Sequence, residues 1–262
     1  MLGRTHMAIG ALGAAIATPL VLHAKWEPLS RLITTNWNTV PHVFMAQAGF
    51  VIASIIGSAI VDLDERHSLA AQRVERFAMI PFFLVMVWLV FLLHMTTSIG
   101  AWIVILIITF ALHTQQNLLR KIGLGALGAG LLYAGVTNVI PLTGALLLTA
   151  WMIGAMFTAH RTFTHSLPGI IVFGAGVVLA MQGHALAWLG QHELGMLGVV
   201  APIGFLVGYA LHLAADIPSG GVPLLWPWGK RFGAHLMKSG GVWDHVIGVM
   251  ALIGFVILAV VG

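Results

Sequence analysis

The sequence predicts an all-α, polytopic membrane helix bundle with a metal site at the cytoplasmic ends of its helices. Three observations carry that expectation. Of 262 residues, 59% are hydrophobic and only 8% charged, against about 25% charged in an ordinary soluble domain. The apolar residues fall into about nine long stretches separated by short polar ones. The 13 histidines outnumber the 8 acids, although polar groups are costly to bury in lipid. A soluble enzyme and a disordered chain are both excluded by this composition. The chain has no cysteine, so disulfides, thiolate metal sites and cysteine nucleophiles are excluded as well.

The apolar stretches run over 7–23, 43–61, 77–94, 99–113, 121–136, 139–159, 167–182, 196–216 and 243–262. A membrane-crossing helix needs about 20 residues, with about 17 as a lower limit. Four stretches (43–61, 139–159, 196–216 and 243–262) satisfy this comfortably, and those at 99–113, 121–136 and 167–182 are short. Residues 1–24 have the basic start and apolar core of a signal peptide, but His6 belongs with the polar cluster below, so they are read as the first helix. The Gly-rich run 123–130 suits close helix packing in lipid; no Gly-Lys-Ser/Thr follows it, so it is not a phosphate loop. One domain over 1–262 is expected, without internal repeats.

Nine crossings alternate the loops between two sides. Arg4, Arg66, Arg73, Arg76, Arg120, Lys121, Arg161, Lys230, Arg231 and Lys238 then share the N-terminal side, and only Lys25 and Arg31 lie opposite. This bias predicts a multi-pass protein of a bacterial-type inner membrane with a cytoplasmic N-terminus.

The same map gathers Asp62, Asp64, Glu65, Glu75, Asp216 and Asp244 on the cytoplasmic side, with His6, His67, His160, His165, His212, His235 and His245; His113 lies at the same end of its helix. Only Glu27 and Glu193 among the acids lie elsewhere, and His23, His42, His94, His184 and His192 are read as incidental. His212 and Asp216 are four residues apart, one turn along a helical face. Asp62 and Asp64 are two apart, which predicts an extended turn leaving the second helix. His160 and His165 are five apart, the step from a helix end into a turn closed by Ser166 and Pro168. Taken singly, each spacing also fits a hydrogen-bonded pair or a solvated loop. Together they bring seven donors to one face, and an unpaired Asp216 in an apolar helix would cost about 3 kcal/mol.

His6, Asp62, Asp64, His160, His165, His212 and Asp216 are therefore the expected metal ligands. A closed zinc site takes four, so seven nitrogen and oxygen donors imply two or three divalent ions. Zinc is expected first, with manganese or iron as alternatives. Such a cluster suits phosphoester hydrolysis by a metal-activated water. Asp64 would orient or deprotonate that water, and Arg161 would clamp a phosphate oxygen bidentately; an anchoring role for Arg161 is the alternative.

Four blocks resemble the signatures of one family. They are Thr5-His6; Val61-Asp62-Leu-Asp64-x-x-x-Ser68-x-x-x-Gln72-Arg73; His160-Arg161-x-x-Thr164-His165-Ser166-Leu167; and Gly208-Tyr-x-x-His212-x-x-x-Asp216, followed by Gly221-Val-Pro-Leu-Leu-Trp-Pro227. The chain is similar to the LexA-regulated, membrane-bound metal-dependent hydrolases of YdjM type. The resemblance implies a divalent-metal hydrolase with a helical core distantly like zinc-dependent phospholipase C. Two positions depart from the pattern: Val61 stands where the family usually has Pro, and Asp244 where it often has Glu. The segment from about 77 to 150 reads as extra membrane helices that carry none of the blocks.

The loop Gly220–Lys238 holds Val222, Leu224, Leu225, Trp226 and Trp228 around Pro223 and Pro227. It is too apolar for a solvated loop, and its prolines prevent a continuous helix. It is expected to lie in the membrane interface and to admit a lipid substrate, or simply to anchor there. The lipid bilayer and a lipid or other phosphoester are the expected partners, and nucleic acid is not. The rival classes are a transporter or metal-ion or proton pathway, which would spread polar residues through mid-membrane, and a haem-binding electron carrier, which has no use for clustered Asp.

Overall fold

The computed structural model describes residues 1–23, 25–34, 40–65, 68–92, 94–114, 116–182 and 195–262. Among them it forms α1 (Gly3–Leu22), α2 (Leu29–Thr34), α3 (Val40–Ile60), a 3-10 turn (Val61–Asp64), α4 (Leu69–Leu92), α5 (Ile99–Thr114), α6 (Gln116–Val136), α7 (Leu142–Phe157), α8 (Leu167–Ala180), α9 (Gly195–Asp216) and α10 (Val242–Val260). The only β-type pairing among the described residues is one antiparallel bridge, Val222 to Phe232, in the loop after α9. The all-α class follows from composition: where no water is available, a helix satisfies its own backbone polar groups.

The nine crossings expected from the sequence are not reproduced as nine. Among the described residues five segments are long and apolar enough to cross a membrane: Gly3–Leu22, Val43–Asp64, Ala71–Leu92, Leu197–Asp216 and Val242–Val260. Ile99–Thr109, Leu142–Phe157 and Leu167–Ala180 are apolar but shorter. In α6, Arg120 and Lys121 interrupt the apolar run.

The centre of the bundle is the pairing of α3 with α9, with α1 packed on both and on α10; α7 lies between α6 and α8, and α4 lies against α6. Close approach of α3 and α9 needs the absent side chain of Gly208, since a Cβ there would sit 1.9 Å from the Ser54 carbonyl oxygen. One buried cluster (Ala11, Ala14, Phe50, Val51 and Val200) joins α1, α3 and α9. A second, which includes Val61, Leu63, Trp151, Phe173, Tyr209 and Leu213, lies directly beneath the polar residues described next.

Candidate metal centre

His6 lies in the first turns of α1, and Asp62 and Asp64 lie in the 3-10 turn that ends α3. His212 and Asp216 close α9. His165 precedes α8, whose first turn is capped by the Ser166 hydroxyl, 3.1 Å from the Gly169 N–H, with Pro168 beside it. All of these are buried, and His160, in the turn after α7, is half-buried.

The Asp62-Leu-Asp64 step is not the extended turn expected. It is helical with about three residues per turn, so side chains two apart diverge instead of pointing the same way. Asp62 therefore turns inward to His165 and His212, while Asp64 turns to His160 and Thr164.

His165 and His212 stand at the middle. Their Nε2 atoms are 3.2 Å apart. Asp62 Oδ1 lies 3.6 Å from the first and 3.5 Å from the second. Asp216 Oδ2 lies 3.5 and 3.7 Å from the same two atoms. The result is two three-donor faces that share the His165–His212 edge. Two donors on a tetrahedral ion with bonds of about 2.0–2.1 Å are separated by about 3.3 Å, so each face has the dimensions a divalent cation requires.

The hydrogen bonds around the rings fit the same use. His212 Nδ1 lies 2.6 Å from the Ser58 carbonyl and must donate to it, which leaves Nε2 with a lone pair. Thr164 Oγ1 donates to Asp64 Oδ2 at 2.5 Å and therefore accepts from His165 Nδ1 at 3.0 Å. His165 Nε2 is thereby also aimed inward. Outer partners that fix a ring in this way are a usual feature of histidine ligands. Burial disfavours a charge on His165, but Asp216, Asp62 and Asp64 around it outweigh that and raise its pKa well above the ordinary value. A metal held by these residues would have to displace that proton.

His6 stacks on His212, with ring centroids 3.6 Å apart, and its Nε2 is 3.3 Å from Asp216 Oδ1. The alignment is not that of a hydrogen bond, so both its buried ring nitrogens lack a hydrogen-bonding partner. Buried donors and acceptors are seldom left so, and a metal ion on Nε2 would satisfy it. His6 forms a donor triad with His212 and Asp216, Asp62 forms one with His165 and His212, and Asp64 forms a third with His160 and His165. These include all seven residues singled out in the sequence.

Asp64 differs from the other two aspartates. Its Oδ1 is 2.9 Å from His160 Nδ1, and its Oδ2 accepts from Thr164 and from the Arg161 backbone N–H at 3.2 Å. Arg161 has a left-handed backbone, with φ of 57°, which turns that N–H toward Asp64. Its guanidinium crosses the mouth of the centre, with Nη2 3.4 Å from Asp216 Oδ1 and 3.3 Å from Ser239 Oγ. Gly220 makes the room, since a Cβ there would lie 2.1 Å from Arg161 Nη1.

A family model described as YdjM inner membrane protein matches residues 1–262, the whole length of the chain. The chain belongs to this family. No curated protein and no solved structure matches this YdjM-family chain.

Several residues outside the expected ligand set support the cluster. Arg120, counted there only as a basic residue, is buried and donates to the carbonyl oxygens of Leu63 and Asp64, bracing the turn between the aspartates. It comes from the segment that carries none of the sequence blocks. Tyr209 donates to the Thr164 carbonyl and accepts from Trp151 Nε1 at 3.2 Å, holding the backbone beside His165. Asp244 takes the Leu2 and Gly240 N–H groups at 2.9 and 2.7 Å, which ties the start of α1, and so His6, to α10. Met1 nitrogen and Ser219 Oγ lie 2.5 and 3.1 Å from Asp216 Oδ1.

Among the described residues, His23, His94, His235 and His245 lie outside the three triads. His23, His94 and His235 are exposed, and His245 Nε2 lies 3.3 Å from Arg4. Arg66, His67, His184, His192 and Glu193 lie outside the described residues.

Proposed function

We propose that this chain is a membrane-bound, metal-dependent hydrolase that cleaves a phosphoester bond at the cytoplasmic face of an inner membrane. The observation that carries the reading is the pair of donor faces built on His165 and His212, with Asp62 and Asp216 on either side. Nitrogen and oxygen donors without thiolate suit zinc, with manganese or iron as alternatives. The three overlapping triads offer positions for two or three ions. The family description supports the inner membrane, and the basic bias of the loops supports a cytoplasmic N-terminus.

A divalent cation held there supplies Lewis acidity, which acidifies water and offsets charge on a phosphoryl group. The protein's own residues supply the rest. Arg161 lies at the rim, where its guanidinium can take a phosphoryl oxygen. Asp64 holds His160 at 2.9 Å, and His160 Nε2 lies 3.4 Å from Glu65, both of them partly open to solvent. That chain offers a route for a proton. In the net step the oxygen of water bonds to phosphorus, the P–O ester bond breaks, and the proton from water ends on the departing alkoxide.

A transport pathway would need donors at several depths. Among the described residues, the groups able to hold a metal are the three triads of this one cluster, which favours an enzyme.

Purified protein in detergent tests the reading through bound metals and turnover of bis-p-nitrophenyl phosphate, with and without chelator. One or more divalent ions per chain and chelator-sensitive turnover, both lost in a His212→Ala/Asp216→Ala variant, are expected. Stoichiometric haem, or protein free of tightly bound metal when prepared without chelator, would overturn it.

A further inference from the structure

The donor cluster is sealed on most sides: the side chains of His6, His165 and Asp64 have no exposed surface, and Asp216 has 1%. Asp62 is the exception among the aspartates, with 10% of its side chain exposed. That surface opens sideways, into a groove of about 320 Å³ between α1, α3, α4, α6 and α7. The groove is walled by apolar side chains, among them Met7, Ile56, Phe77 and Leu127, and its polar members include Asp62, Ser68 and Arg73. Ser68 is occupied in capping α4, donating to the Asp62 carbonyl at 2.6 Å and accepting from the Ala71 N–H at 3.0 Å.

Arg73 belongs to the same sequence block as Asp62 and Asp64, yet it has no part in the metal cluster. It is exposed, and among the described residues its side chain has no hydrogen bond or ion pair. It lines the same groove as Asp62 and is an available cation there.

The groove does not stop there. Val74, Phe77 and Leu127 also line a second apolar groove, of about 540 Å³, which follows α4 and α6 past Pro81 to Val85. From Val74 to Val85 the helix advances about 16 Å. The track therefore holds a buried carboxylate and a cation and continues as a long apolar channel on a lipid-facing helix.

We propose that the substrate is a membrane lipid carrying a phosphoester headgroup, which reaches Asp62 sideways from the bilayer along this groove, with its acyl chain against α4 and α6 and its phosphate met by Arg73. The proposal rests on the hydrolase reading for the reaction, though not for the binding. It differs from access through the apolar Gly220–Lys238 loop. The chemistry is complementary throughout: an apolar wall for the chain, a guanidinium without a partner among the described residues for the anion, and the donor cluster at the phosphorus. His160 and Glu65 do not line the groove and are each about one-third exposed, so a released polar product can leave past them without retracing the groove.

The test uses the full chain in phosphatidylcholine nanodiscs with a phosphatidic acid carrying a diazirine on its acyl chain. Cross-links mapped by mass spectrometry are expected on groove residues of α3, α4 and α6, and unlabelled phosphatidic acid should compete while glycerol 3-phosphate should not. Arg73→Gln should reduce the cross-linking at least fivefold. Ile56→Trp and Leu127→Trp, at exposed groove positions, should lower the ratio of lipid turnover to bis-p-nitrophenyl phosphate turnover at least tenfold. Cross-links on α10 or at the Gly220–Lys238 loop, or equal competition by glycerol 3-phosphate, would overturn the proposal. Groove cross-links without hydrolysis of any ester would support the lipid site and reject the hydrolase reading.

Discussion

His165 and His212 face each other through their Nε2 atoms at 3.2 Å, while the Nδ1 atom of each is already hydrogen-bonded to a group that fixes its ring. Two inward lone pairs flanked by Asp62 and Asp216 are stable together only with a cation between or beside them. Removal of metal should therefore cost stability as well as activity. A site saturated at about 1,000 times its dissociation constant contributes about 4 kcal/mol. Chelator should lower the thermal unfolding temperature of the wild type and have little effect on His212→Ala, which should bind less than a tenth of the metal; elemental analysis and a melting assay check this.

Gly220→Ala should act on the Arg161 side chain and not on the metals. The added methyl would meet Nη1 at 2.1 Å, and the guanidinium must leave its position beside Asp216. Turnover is expected to fall at least tenfold with metal content preserved. Loss of metal in this variant would show that Arg161 holds the cluster together instead of serving the substrate.

Tyr209→Phe leaves two buried groups without a partner, the Trp151 N–H and the Thr164 carbonyl. An unsatisfied buried group costs about 1–3 kcal/mol. The variant should melt earlier than wild type, with metal affinity weakened through the displaced His165 loop. An unchanged melting temperature would mean that water replaces the hydroxyl.

Gly208→Ala tests the α3–α9 contact. Its Cβ would overlap the Ser54 carbonyl, and overpacking on backbone should cost about 3 kcal/mol. Yield of folded protein should drop sharply. Gly130→Ala is the control: nothing lies within 4 Å of that position, and helix propensity alone should make the change neutral or mildly stabilising.

Orientation can be checked by reporters fused after α10. With a cytoplasmic N-terminus and an odd number of crossings, a periplasmic alkaline phosphatase fusion should be active and a green fluorescent protein fusion dark. The reverse pattern would break the expected topology.

Much of the centre was legible in the sequence because its residues are of unusual type for their surroundings. An aspartate at the end of an apolar helix, one turn from a histidine, stands out without any structure, and so does His160-Arg-Thr-Phe-Thr-His165. The number of crossings was less legible. Hydropathy reports that a segment avoids water, not whether it crosses lipid or packs within protein, and α7 and α8 are apolar but short. The Asp62-Leu-Asp64 turn was misread because a spacing of two excludes a shared α-helical face but does not separate an extended strand from a 3-10 turn.

By itself the sequence determined the solvent the chain requires, the all-α class and the seven histidines and aspartates that the fold brings together, since these depend on residue type and local spacing. Only the tertiary structure decided which donor faces which. Asp62 and Asp216 are far apart in the chain, and they flank the same two imidazoles because α3 and α9 pack at glycine distance. Packing also set Asp64 against His160 and Thr164, buried Arg120 against the turn, and left Asp62 on the wall of an apolar groove. Those outcomes depend on contacts between distant segments, which no local pattern encodes.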